Sequence, residues 1–375
     1  MSVEALARAK EALIGRAAAD NSMPGSLPCP DLDNDGSAEL LAGNNCPAYV
    51  GRLPWRTLGL ADLRDGNGER LWYALSPNFR DDNSAQPLNS ATPGQLIITG
   101  TAPAAAVIAI VFSPGGVVGN QVRDAPNENN VQNFLEGENG NGGPPADYTF
   151  VTALASPAFN DMLLPITRED LFPVVEMRIA RELRLSLRAY YSANRYYPNA
   201  AQFPNNSSTA ATYRGYLPTT TCAPVPTVTL PAWFTANNWQ QYMVYAVAPR
   251  CTPKINTSIV AVAVQPSCAL LCVGPAFGLY ACVMPTSIDS TVLDCNNTAA
   301  GPYLTVTGIG ASLQSIVLPA SYRLGIQPAR PCNAIGDCLE AVNGDTENID
   351  SPDNYIYVKP VRSSTNNDSL VVVGP

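Results

Sequence analysis

Apolar positions at helical spacing open the chain. Val3, Leu6, Leu13 and Ala17 fall near one face of residues 3–19, and Glu4, Arg8, Glu11 and Arg16 lie outside it, a spacing that predicts an amphipathic helix. The run is rich in Ala, which costs little entropy in a helix. It stops at Asp20-Asn21-Ser22, ahead of Pro24-Gly25. Residues 22–70 are punctuated by Pro and Gly and read as loop. Short apolar or alternating runs follow at 71–75, 95–99, 107–112 and 148–152, separated by turn-rich segments; they predict an antiparallel sheet. The polar stretch 127–146 reads as an exposed loop. Helical spacing returns after Thr167. Val175, Ile179, Leu183 and Leu187 recur every four residues, Tyr190 and Tyr191 extend that side, and Glu176, Arg178, Arg181, Arg184 and Arg188 occupy the other. Thr167 and Asp170 resemble a capping box, and Pro173 fits a helix only in its first turn. This second helix, over 171–193, is expected to link two domains.

The second half repeats the first in order. Arg16-Ala17 matches Arg188-Ala189, and Tyr73-Ala74-Leu75 matches Tyr245-Ala246-Val247, both at an offset of 172. Leu27-Pro28 echoes Tyr197-Pro198, and Leu53-Pro54-Trp55 echoes Leu230-Pro231-Ala232-Trp233. Later the offset grows. Leu135-Glu136 matches Leu339-Glu340; residues 147–151 match 354–358, and Asn160-Asp161 matches Asn367-Asp368, both at 207. The drift places a net insertion of some 35 residues between Val247 and Leu339. One larger α+β domain with chance similarities is the competing account. The expected organisation is α+β: a first domain over 1–168 and a second over 169–375, the second carrying a Cys-rich insertion at about 248–335.

Composition sharpens this. The 375 residues suit two domains of ordinary size. Net charge is −9 and no basic cluster of five or more residues occurs, so a nucleic-acid backbone finds no continuous partner. There are ten Cys and no His. The even count fits disulfides and an oxidising compartment: Cys29, Cys46, Cys222, Cys251, Cys268, Cys272, Cys282, Cys295, Cys332 and Cys338. Cys29 pairs with Cys46 if the domains fold separately. A zinc or iron–sulfur site is the alternative, but the spacings Cys268-x3-Cys272 and Cys332-x5-Cys338 are loose and no His can help. Without His, the Ser-His-Asp, Cys-His and HExxH mechanisms are excluded. Nothing else points to an enzyme.

Asp31-Leu32-Asp33-Asn34-Asp35-Gly36-Ser37-Ala38-Glu39 carries the sharpest chemistry. Asp31, Asp33 and Asp35 offer three short oxygen ligands, Gly36 permits a tight turn, Ser37 can add a carbonyl and Glu39 follows, as in the first part of a calcium loop. The Glu expected at position 12 is absent, since Ala42 stands there. The competing reading is an acidic turn that caps its own backbone. Asp345, Glu347, Asp350 and Asp353 form a second, irregular acidic loop. Sequons at Asn206 and Asn256 are expected by chance in an Asn-rich chain. Trp55, Trp72, Trp233 and Trp239 read as packing residues, and Tyr190, Tyr191, Tyr196 and Tyr197 as a wedge behind the second helix.

Residues 9–19, Leu27-Pro28-Cys29-Pro30-Asp31, Gly51–Leu60, Phe134–Asn139, Ser156–Asp161 and Leu187–Pro198 together resemble the bacterial prepilin-type group, the type IV pilins and type II secretion pseudopilins. The resemblance implies a helical spine under a head built on an antiparallel sheet, here duplicated. It implies assembly with other pilin-like subunits into a pilus or pseudopilus, as a minor or tip subunit, in the periplasm or at the cell surface. Membrane attachment would need an apolar segment absent from these residues, and Met1 is expected to stand where an export or anchor segment was removed. A secreted module that binds a glycan or protein through the Cys-rich insertion is the alternative.

Overall fold

The computed structural model describes residues 1–375 except 82–85, 205–206, 209–211, 222–224, 263–270, 277–278, 290–294, 296–300, 325–326, 342–345, 351–352, 364 and 375. The chain is a mixed α+β protein of two compact units, Met1–Val175 and Glu176–Pro375.

Unit 1 opens with α1 (Ser2–Ala19), which packs on two strands of a four-stranded antiparallel sheet. That sheet runs β1 (Val50–Arg52), β2 (Trp72–Leu75), β5 (Ala109–Ser113), β7 (Met162–Ile166). A second sheet holds β3 (Leu96–Gly100), β4 (Ala104–Val107) and β6 (Thr149–Thr152). β3 pairs antiparallel with β4 and parallel with β6, so the expectation of purely antiparallel pairing is corrected. The long connection from β5 brings β6 back along β3 in the same direction. Ala5, Leu6, Ala9, Leu13 and Ala17 of α1 are buried, whereas Val3 is 66% exposed; it sits about 60° round the helix from Leu6, in the first turn. β2 and β5 are buried along their whole length. Trp72, Ala74, Ile110 and Phe112 form one core with Leu96, Ile98, Val107 and Phe150 of the second sheet. By alternation, Tyr73 and Val111 point the other way, towards the α1 side.

α2 (Arg168–Asn194) begins in unit 1 and continues into unit 2. Asp170 accepts the Thr167 N–H at 2.8 Å, one half of the capping box. Pro173 lies in the second turn rather than the first. Val175, Ile179, Leu183 and Leu187 are fully buried. Glu176, expected on the outer face, is also fully buried: it accepts from Ser321 Oγ at 2.5 Å and pairs with Arg362.

Unit 2 repeats the strand plan. After α2 come β8 (Ser207–Ser208), β9 (Arg214–Tyr216), β10 (Thr220–Thr221), α3 (Ala232–Ala236) and β11 (Met243–Val247). β12 (Ile255–Val262), β13 (Leu271–Ala276) and β14 (Leu279–Ile288) follow, then β15 (Leu304–Thr307), β16 (Gly310–Leu313) and β17 (Ser315–Pro319). α4 (Ile335–Cys338), β18 (Ile356–Val358) and β19 (Val371–Gly374) complete it. β9-β11-β17-β19 is a four-stranded antiparallel sheet, in the chain order and senses of β1-β2-β5-β7. β15 pairs antiparallel with β16 and parallel with β18, as β3 does with β4 and β6. Small β8 and β10 pair with each other. The added element is the antiparallel sheet β12-β14-β13, over 255–288. This is narrower than 248–335, because β15, β16 and β17 within that range belong to the shared plan. Cys251, just after β11, is joined to Cys295, ahead of β15, and so closes the base of the addition.

Gly51 and Gly215 occupy the same place, opposite Tyr73 and Tyr245. A Cβ on them would lie 2.7 Å from the Asp31 carbonyl and 2.0 Å from the Ala201 carbonyl, so the close backbone approach requires glycine. Among the described residues no helix is long and apolar enough to cross a membrane.

Candidate functional site

The acidic loop hangs from the edge of the main sheet of unit 1. Asp31 bridges to Arg52 at the end of β1, exchanging backbone hydrogen bonds of 3.0 and 2.7 Å, and Cys29 and Cys46 are joined across the loop. Asn34 and Gly36 have φ of +65° and +89°, which turn the chain back on itself. A Cβ on Gly36 would meet Trp55 at 2.5 Å. Arg70 braces the loop from behind: it donates to the Asn34 carbonyl (2.6 Å) and side chain (2.8 Å) and pairs with Asp62 at 2.9 Å. Beneath it, Arg52 is buried between the rings of Trp72 and Phe134, 4.4 and 4.0 Å from their centroids.

Of the five residues read as ligands, the fold gathers Asp31, Asp33 and Glu39, whose carboxylate oxygens lie within 4.8 Å of one another. This set could hold a metal ion. Asp35 and Ser37 are not in the cluster; Asp35 instead accepts the Ser37 N–H at 2.6 Å. Asp31 also does the work of a turn, accepting the N–H groups of Asn34 and Gly36, both at 2.7 Å. Burial raises the Asp31 carboxyl above its usual range; the Gly36 and Asn34 N–H groups pull it down, and the charges of Asp33 and Asp35 push it up. A cation would relieve the burial and the repulsion together. The donor set is all oxygen, which suits a hard cation.

The second acidic loop is not such a cluster. Asp350 pairs with Arg214 at 2.8 Å, Asp353 accepts from Tyr357 at 2.9 Å and Glu347 accepts from Asn354 at 2.8 Å; Asp345 lies outside the described residues. Cys332 is joined to Cys338 and Cys282 is disulfide-bonded. Cys272 stands opposite Cys282 in the β13–β14 pairing, while Cys222 and Cys268 lie outside the described residues, as does Asn206. Asn256 donates to Ser287 at 3.0 Å. Trp72, Trp233 and Trp239 are buried and Trp55 half-buried. Tyr190 meets Tyr196 edge-on and Tyr191 stacks on Tyr197, at 5.9 and 4.7 Å.

Sequence reasoning missed a cleft of about 620 Å³ in unit 2. Phe203, Tyr213 and Tyr355 line it, with Arg214, Asp353 and Asn333 between them. Tyr213 and Tyr355 meet edge-on at 6.2 Å and are half-buried. Arg214 lies 3.6 Å from Asp353. These residues come from three segments far apart in the chain, and only Asp353, in the second acidic loop, and Tyr355, inside the repeated 354–358 motif, carried a signal in the sequence.

No protein-family model matches the chain, and neither the curated proteins nor the solved structures include a significant match.

Proposed function

We propose that the chain is a non-catalytic, extracytoplasmic binding protein whose second unit takes a neutral glycan in the Tyr213–Tyr355 cleft. The cleft itself carries this reading. Its volume lies in the range of small-ligand sites, and aromatic faces beside a few polar groups are what a sugar ring needs. Arg214 is already paired with Asp350 at 2.8 Å and lies 3.6 Å from Asp353, so the cleft offers an anionic ligand no unpaired cation, which favours an uncharged one. In unit 1, Asp31, Asp33 and Glu39 hold a structural calcium ion of modest affinity, whose remaining ligands are backbone or water oxygens in place of the missing twelfth-position Glu. The disulfides support an oxidising compartment. A glycan array probed with the intact chain tests the cleft. Tyr213→Ala and Tyr355→Ala should each weaken any hit at least tenfold; hits that both variants retain would remove the cleft from the account.

A second reading is a subunit of a pilus-like or pseudopilus-like filament, with other pilin-like subunits as partners. The repeated strand plan and the prepilin-type sequence resemblance favour it. Negative-stain images of the native assembly decide it: filaments containing the chain support it, and dispersed particles alone dismiss it.

A further inference from the structure

One feature is built twice and belongs to neither proposed site. In unit 1, Glu136 lies on the connection between β5 and β6, and Asp161 immediately precedes β7. The Glu136 N–H donates to Asp161 Oδ2 at 2.9 Å, and the N–H groups of Asn160 and Asp161 donate back to Glu136 Oε2 at 2.9 and 3.1 Å. In unit 2 the Glu340 N–H donates to Asp368 Oδ2 at 2.8 Å, and the Asn367 N–H donates back to Glu340 Oε2 at 3.2 Å. An asparagine stands beside each pair. Asn139 brackets Val151 of β6 with hydrogen bonds of 3.1 and 2.8 Å, and Asn348 brackets Val358 of β18 with 2.9 and 2.8 Å.

The first pair and Asp368 are buried (Glu136 is 8% exposed, Asp161 6%, Asp368 1%), and Glu340 is half-buried. The groups facing the first pair are the amides of Gln121 (2.7 Å from Glu136) and Asn139 (2.9 Å from Asp161), and among the described residues the charge acting on Asp161 is that of Glu136. The second pair faces Gln327, the backbone of Asn367 and one cation, Arg330. Asp161 Oδ1, Glu340 Oε1 and Asp368 Oδ1 are buried with no hydrogen-bond partner. Two adjacent carboxylates cannot satisfy each other, because both only accept; one protonated carboxyl can donate to the other. A metal is a poorer answer, since backbone N–H groups already occupy Glu136 Oε2 and Asp161 Oδ2.

We propose that each Glu–Asp pair is a clasp closed by one shared proton, which pins the start of the last strand of its unit to the preceding connection and lets go as pH rises.

The electrostatics agree. Burial pushes Asp161 up to about 8; the Asn139 amide opposes this and the Glu136 charge adds to it. Burial likewise drives Asp368 well above the carboxylate range, with the Glu340 charge adding and Arg330 opposing. A carboxyl raised on folding takes up a proton between its unfolded and folded values. Its contribution to stability is therefore complete below about pH 4 and, in unit 1, is lost as pH rises towards about 8.

Hydrogen exchange of the intact chain, corrected for intrinsic rates, tests this on the segments spanning β7 and β19. One proton released per opening predicts that opening of β7 rises by up to about tenfold per pH unit between about pH 5 and about pH 8. Asp161→Asn keeps an acceptor for Glu136 N–H and supplies a permanent donor to the Glu136 carboxylate. It should flatten the pH dependence of β7 and leave β19 unchanged; Asp368→Asn should do the converse. A wild-type β7 indifferent to pH, or a slope that survives Asp161→Asn, overturns the proposal. So does a failure of Asp161→Asn to fold, because a neutral amide should replace the shared proton.

Discussion

The two units share a strand plan and differ in what they hang on it. Gly51 and Gly215, Tyr73 and Tyr245, Glu136 and Glu340, Asp161 and Asp368 occupy equivalent places in the two hydrogen-bond patterns. The residues bridged to the ends of β1 and β9 do not match: Asp31 bridges Arg52, and Ala201 bridges Tyr216. Unit 1 develops that place into an acidic loop, while unit 2 leaves it plain and inserts a three-stranded sheet between β11 and β15. The buried residues at matched positions therefore serve the frame, and what distinguishes the units is sought in their loops.

Removing the staples tests that division most strongly. Cys251→Ser with Cys295→Ser opens a crosslink of sequence separation 44 and should cost unit 2 about 4 kcal/mol; Cys29→Ser with Cys46→Ser, of separation 17, should cost unit 1 about 3 kcal/mol. Denaturant melts of each variant measure this, and equal small losses would mean that neither staple constrains its loop. Calcium comes next. At a hundred times its dissociation constant it should stabilise unit 1 by about 2.7 kcal/mol, read as slower exchange across residues 31–39, with unit 2 untouched. Asp33→Ala should abolish the effect; identical exchange with chelator and with calcium would remove the ion.

Acid should separate the units further. Arg16 holds Asp20 and Asp81, each at 2.8 Å, whereas its counterpart Arg188 donates to the Val373 carbonyl, which does not titrate. Burial would raise Asp20, but Arg16 and the N–H groups of Met23 and Ser22 outweigh it and hold the carboxyl at about 2. Its folded value is depressed, so its contribution of about 2 kcal/mol is present above about pH 4 and lost as pH falls towards 2. Acid titration against Asp20→Asn checks this; the variant should lose that component, and an unchanged curve would place the acid sensitivity elsewhere. The smallest effect concerns matched tyrosines. Tyr245 donates to the Pro198 carbonyl at 3.1 Å, while the buried Tyr73 hydroxyl has no partner. Tyr245→Phe should cost about 1 kcal/mol and Tyr73→Phe nothing, or should stabilise. Equal costs in paired melts would mean the two sites are less alike than their registers.

Wherever local pattern and burial agree, the chain was legible from residues alone. The Leu6–Leu13–Ala17 stripe and the Val175–Ile179–Leu183–Leu187 stripe mark helices because their period leaves one face to bury. The Asp-rich loop was visible because its ligands are neighbours in sequence. β1, β4 and β7 were not: β1 is Val-Gly-Arg, β4 is mostly Ala and β7 carries Pro165, and Gly, Ala and Pro give a poor strand signal. Glu176 was misplaced because its side of the helix reads as charged, and the approach of Ser321 and Arg362 makes its burial tolerable.

The residues by themselves determined two helices, a repeat, a crosslinked chemistry and one acidic loop, since each is written in local spacing. The tertiary structure alone decided the parallel pairing of β3 with β6, the Tyr213–Tyr355 cleft and the two carboxyl clasps. Each of those joins segments whose separation along the chain is large, and their energies come from burial and hydrogen bonds that exist only once the segments have met.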